Sequence, residues 1–439
     1  MNTEAGRGAY ERKWFASYLL SNVASGIISP LVPLYTVLLL HSTVFYVGLA
    51  SALSSAASVP SLILWGNLSD RTKARKPFII VGFAGSFLSL ILILLVRNVY
   101  DYIGVLVLYQ VLANASVPVA TVLIAENTEE RLWPNVMAMF NMLSAVGTVI
   151  GLGLGTMLTF INSSPGALTM VYVYSSAIYL VSAISAALLL RESEKKLERR
   201  RLSSIFSIRV LERNRFSPSH IVHFIAYREG NARHLPGKLW ATIACACLLM
   251  VGFQVFLVPY PVYLVDRYGA SQLIVFLMYM GNSAMTALTY VPAGRMVRKS
   301  GISRALSLAL GSRILIFSAS SVIAMLAAPT HLWMYVMVAF YSIIGGLWSF
   351  IGMGQVTAVT RMADQETRGW AVGLYNSFLG IGQIAGSFIS GYMAQYVGYS
   401  YDFIAAAAIV VVGTAVILRM NIDSAIRGQP GGTGVKPGS

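Results

Sequence analysis

Long apolar blocks are the feature that most constrains what this chain can fold into. Most of the blocks match or exceed the ~20 residues that a helix needs to cross a bilayer. Only 11% of the residues are charged, whereas a soluble chain of this size carries about 25%. The twelve blocks span roughly 14–40, 43–65, 78–96, 101–125, 135–161, 167–190, 239–265, 271–293, 303–328, 331–359, 369–396 and 400–418. This pattern predicts an all-α membrane protein with twelve transmembrane helices.

A long polar segment divides these blocks six and six. We therefore expect an N-terminal six-helix half over residues 1–190 and a C-terminal half over 239–418. Between them, residues 191–238 carry 12 basic and 5 acidic side chains, which favours a solvated linker over a segment lying on the membrane surface. The tail, residues 419–439, is rich in Gly and Pro and is predicted to be disordered.

Two apolar stretches, residues 141–155 and 376–391, match each other at an offset of 235 residues. In both, small residues recur at every fourth position, which on a helix forms a flat face for close packing in lipid. The packing residues predicted from this pattern are Gly147, Gly151, Gly155, Gly382 and Gly386. Matching helices in corresponding places indicate a duplication, and hence two pseudo-symmetric six-helix halves.

The basic residues predict the orientation of the chain. Of the 32 Lys and Arg residues, 29 fall in the segments that share one side of the membrane with the two termini. Cytoplasmic loops carry such an excess, so we expect both termini and residues 191–238 in the cytoplasm of a multi-pass protein of the cell membrane. The net charge of +15 is explained in the same way, and we expect no nucleic-acid partner.

The loop after the second block, Gly66 to Pro77, reads Gly-Asn-Leu-Ser-Asp-Arg-Thr-Lys-Ala-Arg-Lys-Pro. With twelve helices in two halves, it resembles the signature loop of the major facilitator superfamily, in which Gly, Leu, Asp and Arg precede a Gly and a basic cluster. This chain departs from that pattern at Lys73 and Ala74, where Gly and Arg are usual. A weaker copy begins at Gly294 and has Arg298 in the position of the Asp.

The resemblance implies a conformational switch at these loops. Its residues would be Gly66, Asp70, Arg71, Arg75, Lys76, Gly294 and Arg298. Asp70 would face the N-terminus of helix 11, whose partial positive charge attracts a carboxylate, and would latch the halves together on the cytoplasmic side. The alternative is a basic loop that only sets topology and carries an incidental Asp.

Pro30 and Pro33 in the first helix resemble the drug-exporter branches of the superfamily. In the fifth helix, Gly147 and Gly151 also match the pattern of those exporters, although Leu152 stands where they have Pro. The fourth helix lacks the Arg that is associated with proton coupling. We therefore expect a secondary transporter that works by alternating access and exports amphipathic compounds. A metabolite importer or facilitator of the same fold is the alternative, and a non-transporting sensor or a membrane enzyme is the competing class.

Polar residues inside membrane helices are the default candidates for a substrate pathway. The candidates here are Asn22, Gln110, Asn114, Asn141, Gln254, Tyr260, Asn282, Trp348, Asn376 and Gln383. For each, the competing interpretation is a polar tie between two helices. Arg313 is the single charge within a block, and we expect its side chain to extend toward the cytoplasmic surface. All 17 acidic residues fall in loops or at helix ends, so no buried carboxylate is expected.

The remaining expectations concern partners. The five His residues lack the spacing of metal ligands, and no Gly-Lys-Ser/Thr loop for a nucleotide is present. We expect no catalytic site, metal or cofactor; coupling to a proton or other ion gradient stays open. The partners expected are the lipid bilayer and a small-molecule substrate, and the chain is expected to be a monomer.

Overall fold

The computed structural model describes residues 13–72, 74–129, 132–162, 164–190, 236–364 and 367–420. Over these residues the chain forms twelve long helical segments, α1 to α12, and no strand. They are α1 (Phe15–Leu34), α2 (Val44–Thr72), α3 (Lys76–Ile91), α4 (Val99–Ala113 and Val117–Asn127), α5 (Trp133–Ile161), α6 (Ala167–Leu189), α7 (Gly237–Leu257 and Tyr260–Tyr268), α8 (Gln272–Ser300), α9 (Ile302–Leu326), α10 (His331–Met362), α11 (Arg368–Tyr396) and α12 (Tyr399–Met420). The predicted fold class is confirmed.

Eleven of these described helices are long and apolar enough to cross a membrane. The exception is α11, which has 29 residues but a lower mean hydropathy, because it contains many glycine, serine and amide residues. α7 begins at Gly237 and α12 is described as far as Met420, and the predicted domain bounds of 239 and 418 stay a prediction. The predicted linker and tail fall almost wholly outside the described residues.

Proline accounts for the irregular helices. Pro30 and Pro33 lie inside α1, which continues as a π-helical turn over Tyr35–Leu39. Pro118 is the second residue of the second part of α4, and Pro259 precedes the second part of α7. Because proline has no N–H and crowds the preceding turn, the helix is interrupted or distorted at these points.

The helix bundle has two ends, which we call the basic end and the far end. The basic end carries the loop between α2 and α3 and the start of α7. The far end carries the loops 40–43 and 396–398 and the described loop residues 162 and 164–166. These names do not depend on which side of a membrane each end faces.

Within each half, the backbones of two helices pack directly against each other. α5 packs on α1 and α11 packs on α7 at glycines whose missing side chain would collide with a carbonyl oxygen. The contacts pair Gly147 with Leu19, Gly151 with Val23, Gly382 with Cys247, and Gly386 with Val251. The carbonyls of α7 lie 228 positions after those of α1, so the same contact is made twice by the two halves.

Contacts between the halves close the far end. A Cβ atom on Gly48 of α2 would lie 2.6 Å from Gly391 Cα on α11, and Gly155 of α5 packs against the ring of Phe276 on α8. Phe276 follows Gly48 by the same 228 positions, so the two seams are equivalent, although one residue is the smallest and the other is aromatic. Gln272 Nε2 also donates a 3.2 Å hydrogen bond to the Ser164 carbonyl across the halves.

The glycine packing predicts that Gly151→Leu and Gly386→Leu each abolish folding or transport. A side chain at either position meets backbone, which cannot move aside as a flexible side chain can, and overpacking costs about 1–3 kcal/mol or more. Thermal unfolding and size-exclusion chromatography of the purified variants measure the effect. Gly153→Leu is the matched control, because a Cβ on Gly153 has no atom within 4 Å. Wild-type stability of either bulky variant would contradict this packing.

Candidate functional site

A cavity of about 500 Å³ lies between the two halves at the middle of the helices. Its walls come from α1, α2 and α4 of the first half and from α7, α8, α10 and α11 of the second. This volume is within the range of small-molecule sites, about 300–1,000 Å³. A site built by both halves is altered whenever they move relative to each other.

One wall of the cavity is a ladder of serine hydroxyls on α2. Ser51, Ser54, Ser55 and Ser58 all line the cavity. Their spacing of three, four and seven residues places them on one face of the helix. Sequence reasoning missed this wall because it looked for amide and aromatic side chains, yet the serine spacing was a readable signal. Ser25 and Ser29 of α1 extend the hydroxyl surface.

Amide and phenol groups complete the polar lining. Of the ten predicted pathway residues, four line the cavity, namely Gln110, Gln254, Asn376 and Gln383. Asn376 Nδ2 is buried and has no hydrogen-bond partner among the described residues, so it can donate to a ligand. Three tyrosines that were not predicted also contribute: Tyr109, Tyr279 and Tyr341.

The cavity is amphipathic and uncharged. Apolar side chains such as Ile28, Val32, Leu106 and Leu257 share the lining with the hydroxyls and amides. None of the described residues around it is an Asp, Glu, Lys, Arg or His. Recognition here can use hydrogen bonds and apolar contact, and it has no fixed charge to pair with an ionic ligand.

Three predicted pathway residues bond to neighbouring helices or to their own helix instead of lining the cavity. Asn114 Nδ2 on α4 donates to Ser58 Oγ and Ser61 Oγ on α2, at 3.0 and 2.8 Å. Asn282 Nδ2 on α8 donates to the Tyr341 carbonyl on α10 at 2.8 Å. Asn22 Nδ2 donates to the Tyr18 carbonyl of its own helix at 2.7 Å.

The other predicted residues also lie outside the cavity lining. Tyr260 is fully buried, and its hydroxyl donates to the Met337 carbonyl at 2.8 Å. Trp348 packs edge-on against Phe253, with ring centroids 6.2 Å apart. Asn141 is half-buried on α5 and is not among the lining residues.

The prediction for Arg313 was wrong. Its side chain is 1% exposed and lies inside the C-terminal half instead of extending to the surface. The guanidinium sits 4.0 Å from the Phe253 ring centroid and 5.7 Å from that of Trp348. Its Nη2 donates to the Ile344 carbonyl at 3.1 Å. Aromatic faces and a carbonyl oxygen replace water around the cation, which makes burial possible.

The switch loop forms a buried charge network within the first half. Arg75 is 2% exposed, and its Nε and Nη2 donate to Glu126 Oε1 at 3.2 and 3.1 Å. Its Nη1 donates to Asp70 Oδ1 at 3.1 Å and to Ser69 Oγ at 2.8 Å. Asp70 therefore pairs here with a residue of its own half, and the network ties the end of α4 to α2.

The other switch residues lie around this network. Gly66 is buried, Lys76 is half-buried and Arg71 is exposed. In the second half, Arg298 is exposed and a Cβ on Gly294 would lie 3.3 Å from Met353 Cε. The second loop thus lacks the carboxylate that the first loop places beside Arg75.

The expectation of no buried carboxylate was wrong for two residues near helix ends. Glu126 is 3% exposed and is neutralised by Arg75. Asp402, in the first turn of α12, has no exposed surface. Tertiary packing buries both, since neighbouring helices cover positions that look accessible in the sequence.

Comparisons with known proteins agree with this architecture. Residues 14–359 match the family model of the Major Facilitator Superfamily. Over 411 residues the chain is 22% identical to Multidrug resistance protein 2 of Bacillus subtilis (strain 168), covering 92% of this chain and 94% of that protein.

Solved transporters share the fold at low identity. A structure of a mutant of the nucleoside transporter NupG has a TM-score of 0.73 at 13% identity, covering 94% of this chain and 99% of that one. A bacterial homologue of the human lysosomal transporter Spinster has a TM-score of 0.69 at 14% identity, with 94% and 97% covered. The matched family and these neighbours are transporters, not enzymes. The chain is a multi-span membrane protein that belongs to the Major Facilitator Superfamily.

Proposed function

We propose that this protein exports an uncharged, amphipathic small molecule across the cell membrane by alternating access. The observation that carries the proposal is the cavity, which both halves build and which has polar and apolar walls without a charged side chain among the described residues. An ion moved from water into such a site leaves its hydration behind and finds no counter-charge, so the binding of ions is disfavoured. A neutral solute with hydroxyl or amide groups meets partners on α2 and α11.

The conformation is proposed to be the inward-facing state. At the far end, Val44 and Val47 of α2 pack with Val262 of α7 and Ala394 of α11 in one buried cluster. If the basic end faces the cytoplasm, as the distribution of Lys and Arg favours, this cluster seals the cavity from the outside. The full-length similarity to a multidrug resistance protein supports export as the direction.

Uptake of a neutral metabolite is the second candidate. The uncharged cavity suits such a solute equally, and one of the solved neighbours is a nucleoside transporter. Proteoliposomes with known orientation separate the two directions. Flux measured with and without a pH gradient also tests coupling.

A ligand screen tests the substrate class. Thermal stabilisation of the purified protein by a library matched in size, with neutral, cationic and anionic members, identifies ligands, and proteoliposome flux then confirms transport. We expect the hits to be neutral. A set of hits dominated by cations or anions would overturn the proposal, and binding without flux would favour a sensor.

The serine ladder predicts the effect of a single hydroxyl. Ser55→Ala removes one hydrogen-bond donor and acceptor from the cavity wall while keeping α2 intact. One lost hydrogen bond costs about 0.5–1.5 kcal/mol, which weakens ligand binding by roughly 2- to 13-fold. Titration of the best neutral hit measures the change. Ser307→Ala is the control, since Ser307 Oγ bonds its own helix at Ser303 O and lies outside the cavity lining.

The orientation predicts which sites a membrane-impermeant thiol reagent reaches. We expect Asn162→Cys and Thr330→Cys, both exposed at the far end, to be labelled in intact cells. Lys299→Cys at the basic end should react only after the membrane is permeabilised. Labelling of Lys299→Cys in intact cells would reverse the proposed sidedness.

We further propose that Asp70 stabilises the opposite, cytoplasm-closed state. In the conformation described here, its carboxylate is 26% exposed and pairs with Arg75 of its own half. When the basic ends approach, the same carboxylate would face the N-terminus of α11 at Arg368. A carboxylate at a helix N-terminus contributes about 0.3–1 kcal/mol when exposed and up to ~2 kcal/mol when partly buried.

Asp70→Asn is therefore expected to favour the inward-facing state, by up to roughly 30-fold in population if the contact is partly buried. Substrate affinity should be retained and cycling should slow. Distances between spin labels at Leu132 and Arg304, exposed at the basic ends of the two halves, report the populations. Asp101→Asn, which removes an exposed carboxylate at the far end, is the control. Unchanged distances and flux in Asp70→Asn would leave the loop with a role in topology only.

A further inference from the structure

Asp402 is a buried acid that the proposed transport site does not use. It lies in the first turn of α12, at the far end, and none of its surface is exposed. Neither carboxyl oxygen has a hydrogen-bond partner among the described residues. The other buried carboxylate, Glu126, is paired with Arg75, so the two acids have different electrostatic surroundings.

An unpaired ionised carboxylate in such a place is costly. Moving a charge out of water without a partner costs several kcal/mol, and buried groups usually avoid the cost by becoming neutral. The positive N-terminus of α12 offsets only part of this cost. The surroundings of Asp402 therefore suit a protonated carboxyl group.

In the part of the chain that the structure describes, the charged and titratable groups near this end do not supply a counter-charge. On the second part of α7, Tyr260 and Tyr263 are neutral phenols, while Asp266 and Arg267 are exposed. α11 brings Tyr392 and Tyr396, and α12 itself brings Tyr399 and Tyr401. Of these, Tyr399 donates its hydroxyl proton to Asp266 Oδ2 at 2.6 Å.

The two remaining neighbours of α12 are α9 and the first part of α7. On α9, Ser321 Oγ donates a hydrogen bond to the Ser400 carbonyl, so Ser321 lies at the same depth in the bundle as the first turn of α12. Arg313 lies eight residues deeper on α9, about 12 Å along the axis, against Phe253 and Trp348. The titratable side chains of the first part of α7 are Lys238 near the basic end and the thiols Cys245 and Cys247.

Asp402 is linked to the closure between the halves through Tyr399. The Tyr399 ring packs against the cluster of Val44, Val47, Val262 and Ala394 that closes the far end. It precedes Asp402 by three residues, so both lie in the first turn of α12. The cluster joins the two halves, so it must separate when the far end opens, and we infer that water then reaches that turn.

We propose that Asp402 is a proton-binding site whose occupancy follows the opening of the far end. Its carboxyl group holds a proton while the far end is closed. When the far end opens, the O–H bond breaks, the proton passes to water, and a hydrated carboxylate remains. The inference rests on alternating access within the proposed function, but it does not depend on the substrate or on the direction of transport.

The sign of the pH response follows from this linkage. Ionisation is unfavourable in the closed far end and tolerated in the open one, so alkaline conditions favour opening. For a single proton, the ratio of open to closed changes by at most about tenfold per pH unit. Asp402→Asn keeps the shape of the neutral acid, and its far end should stay closed at every pH.

Distance measurements test the proposal on the full-length protein in nanodiscs, without substrate. Spin labels at Arg97→Cys and Thr330→Cys, exposed at the far ends of the two halves, are placed in a chain whose Cys245 and Cys247 are replaced by Ala. We expect the long-distance population to grow with pH in the parent and to be flat in Asp402→Asn. Asp364→Asn, an exposed acid at the basic end, and Asp266→Asn should both keep the response.

Two results of that experiment would overturn the proposal. One is a parent distribution that does not change with pH. The other is a response that survives in Asp402→Asn, in particular if Asp266→Asn removes it. If the distance distribution stops responding to pH only in Asp402→Asn, the proton site is supported even when no flux is detected. The experiment therefore distinguishes failure of the proton site from failure of the proposed transport function.

An infrared measurement on the unmutated chain covers the case in which Asp402→Asn does not fold. A protonated carboxyl group has a C=O stretching band that is separate from carboxylate bands and shifts in deuterated water. We expect this band in the parent at neutral pH, and its loss as the medium becomes alkaline. Its absence at neutral pH would show that Asp402 is ionised and would overturn the proposal.

Discussion

Direct contact between helix backbones is the constraint on which the rest of this structure depends. Carbonyl oxygens of α1 and α7 occupy the space that side chains at Gly151 and Gly386 would fill. In lipid, apolar surface gives little drive for association, so close packing and polar ties must hold the helices. The contact is made once in each half, at equivalent positions, and it gives each half a rigid pair of helices beside the cavity.

The two contacts between the halves differ from each other more than the two backbone contacts within the halves do. On one side, Gly48 meets Gly391 backbone to backbone, whereas on the other Gly155 meets the ring of Phe276. Both seams lie toward the far end. The space left between the halves at mid-depth is where polar side chains of membrane helices can be placed without facing lipid.

Buried ionisable side chains meet three different surroundings in this structure. Arg75 is neutralised by Glu126, and Arg313 is held by aromatic rings and a carbonyl oxygen. Asp402 is buried without such partners among the described residues. Among the described residues, none of these side chains lines the cavity, and its lining is uncharged, so the proposed solute site and the proposed proton site lie on separate groups of this fold.

The sequence by itself determined the twelve helices, their division into two halves and the glycine faces, because block length and four-residue spacing are local properties of the chain. It did not decide which polar side chains face the cavity. A helical residue can face lipid, a neighbouring helix or the space between the halves, and only packing separated Gln110 in the cavity from Asn282, which ties two helices. The burial of Arg313 and Asp402 was likewise decided by tertiary structure, since neighbouring helices distant in sequence supply the aromatic faces and exclude the water.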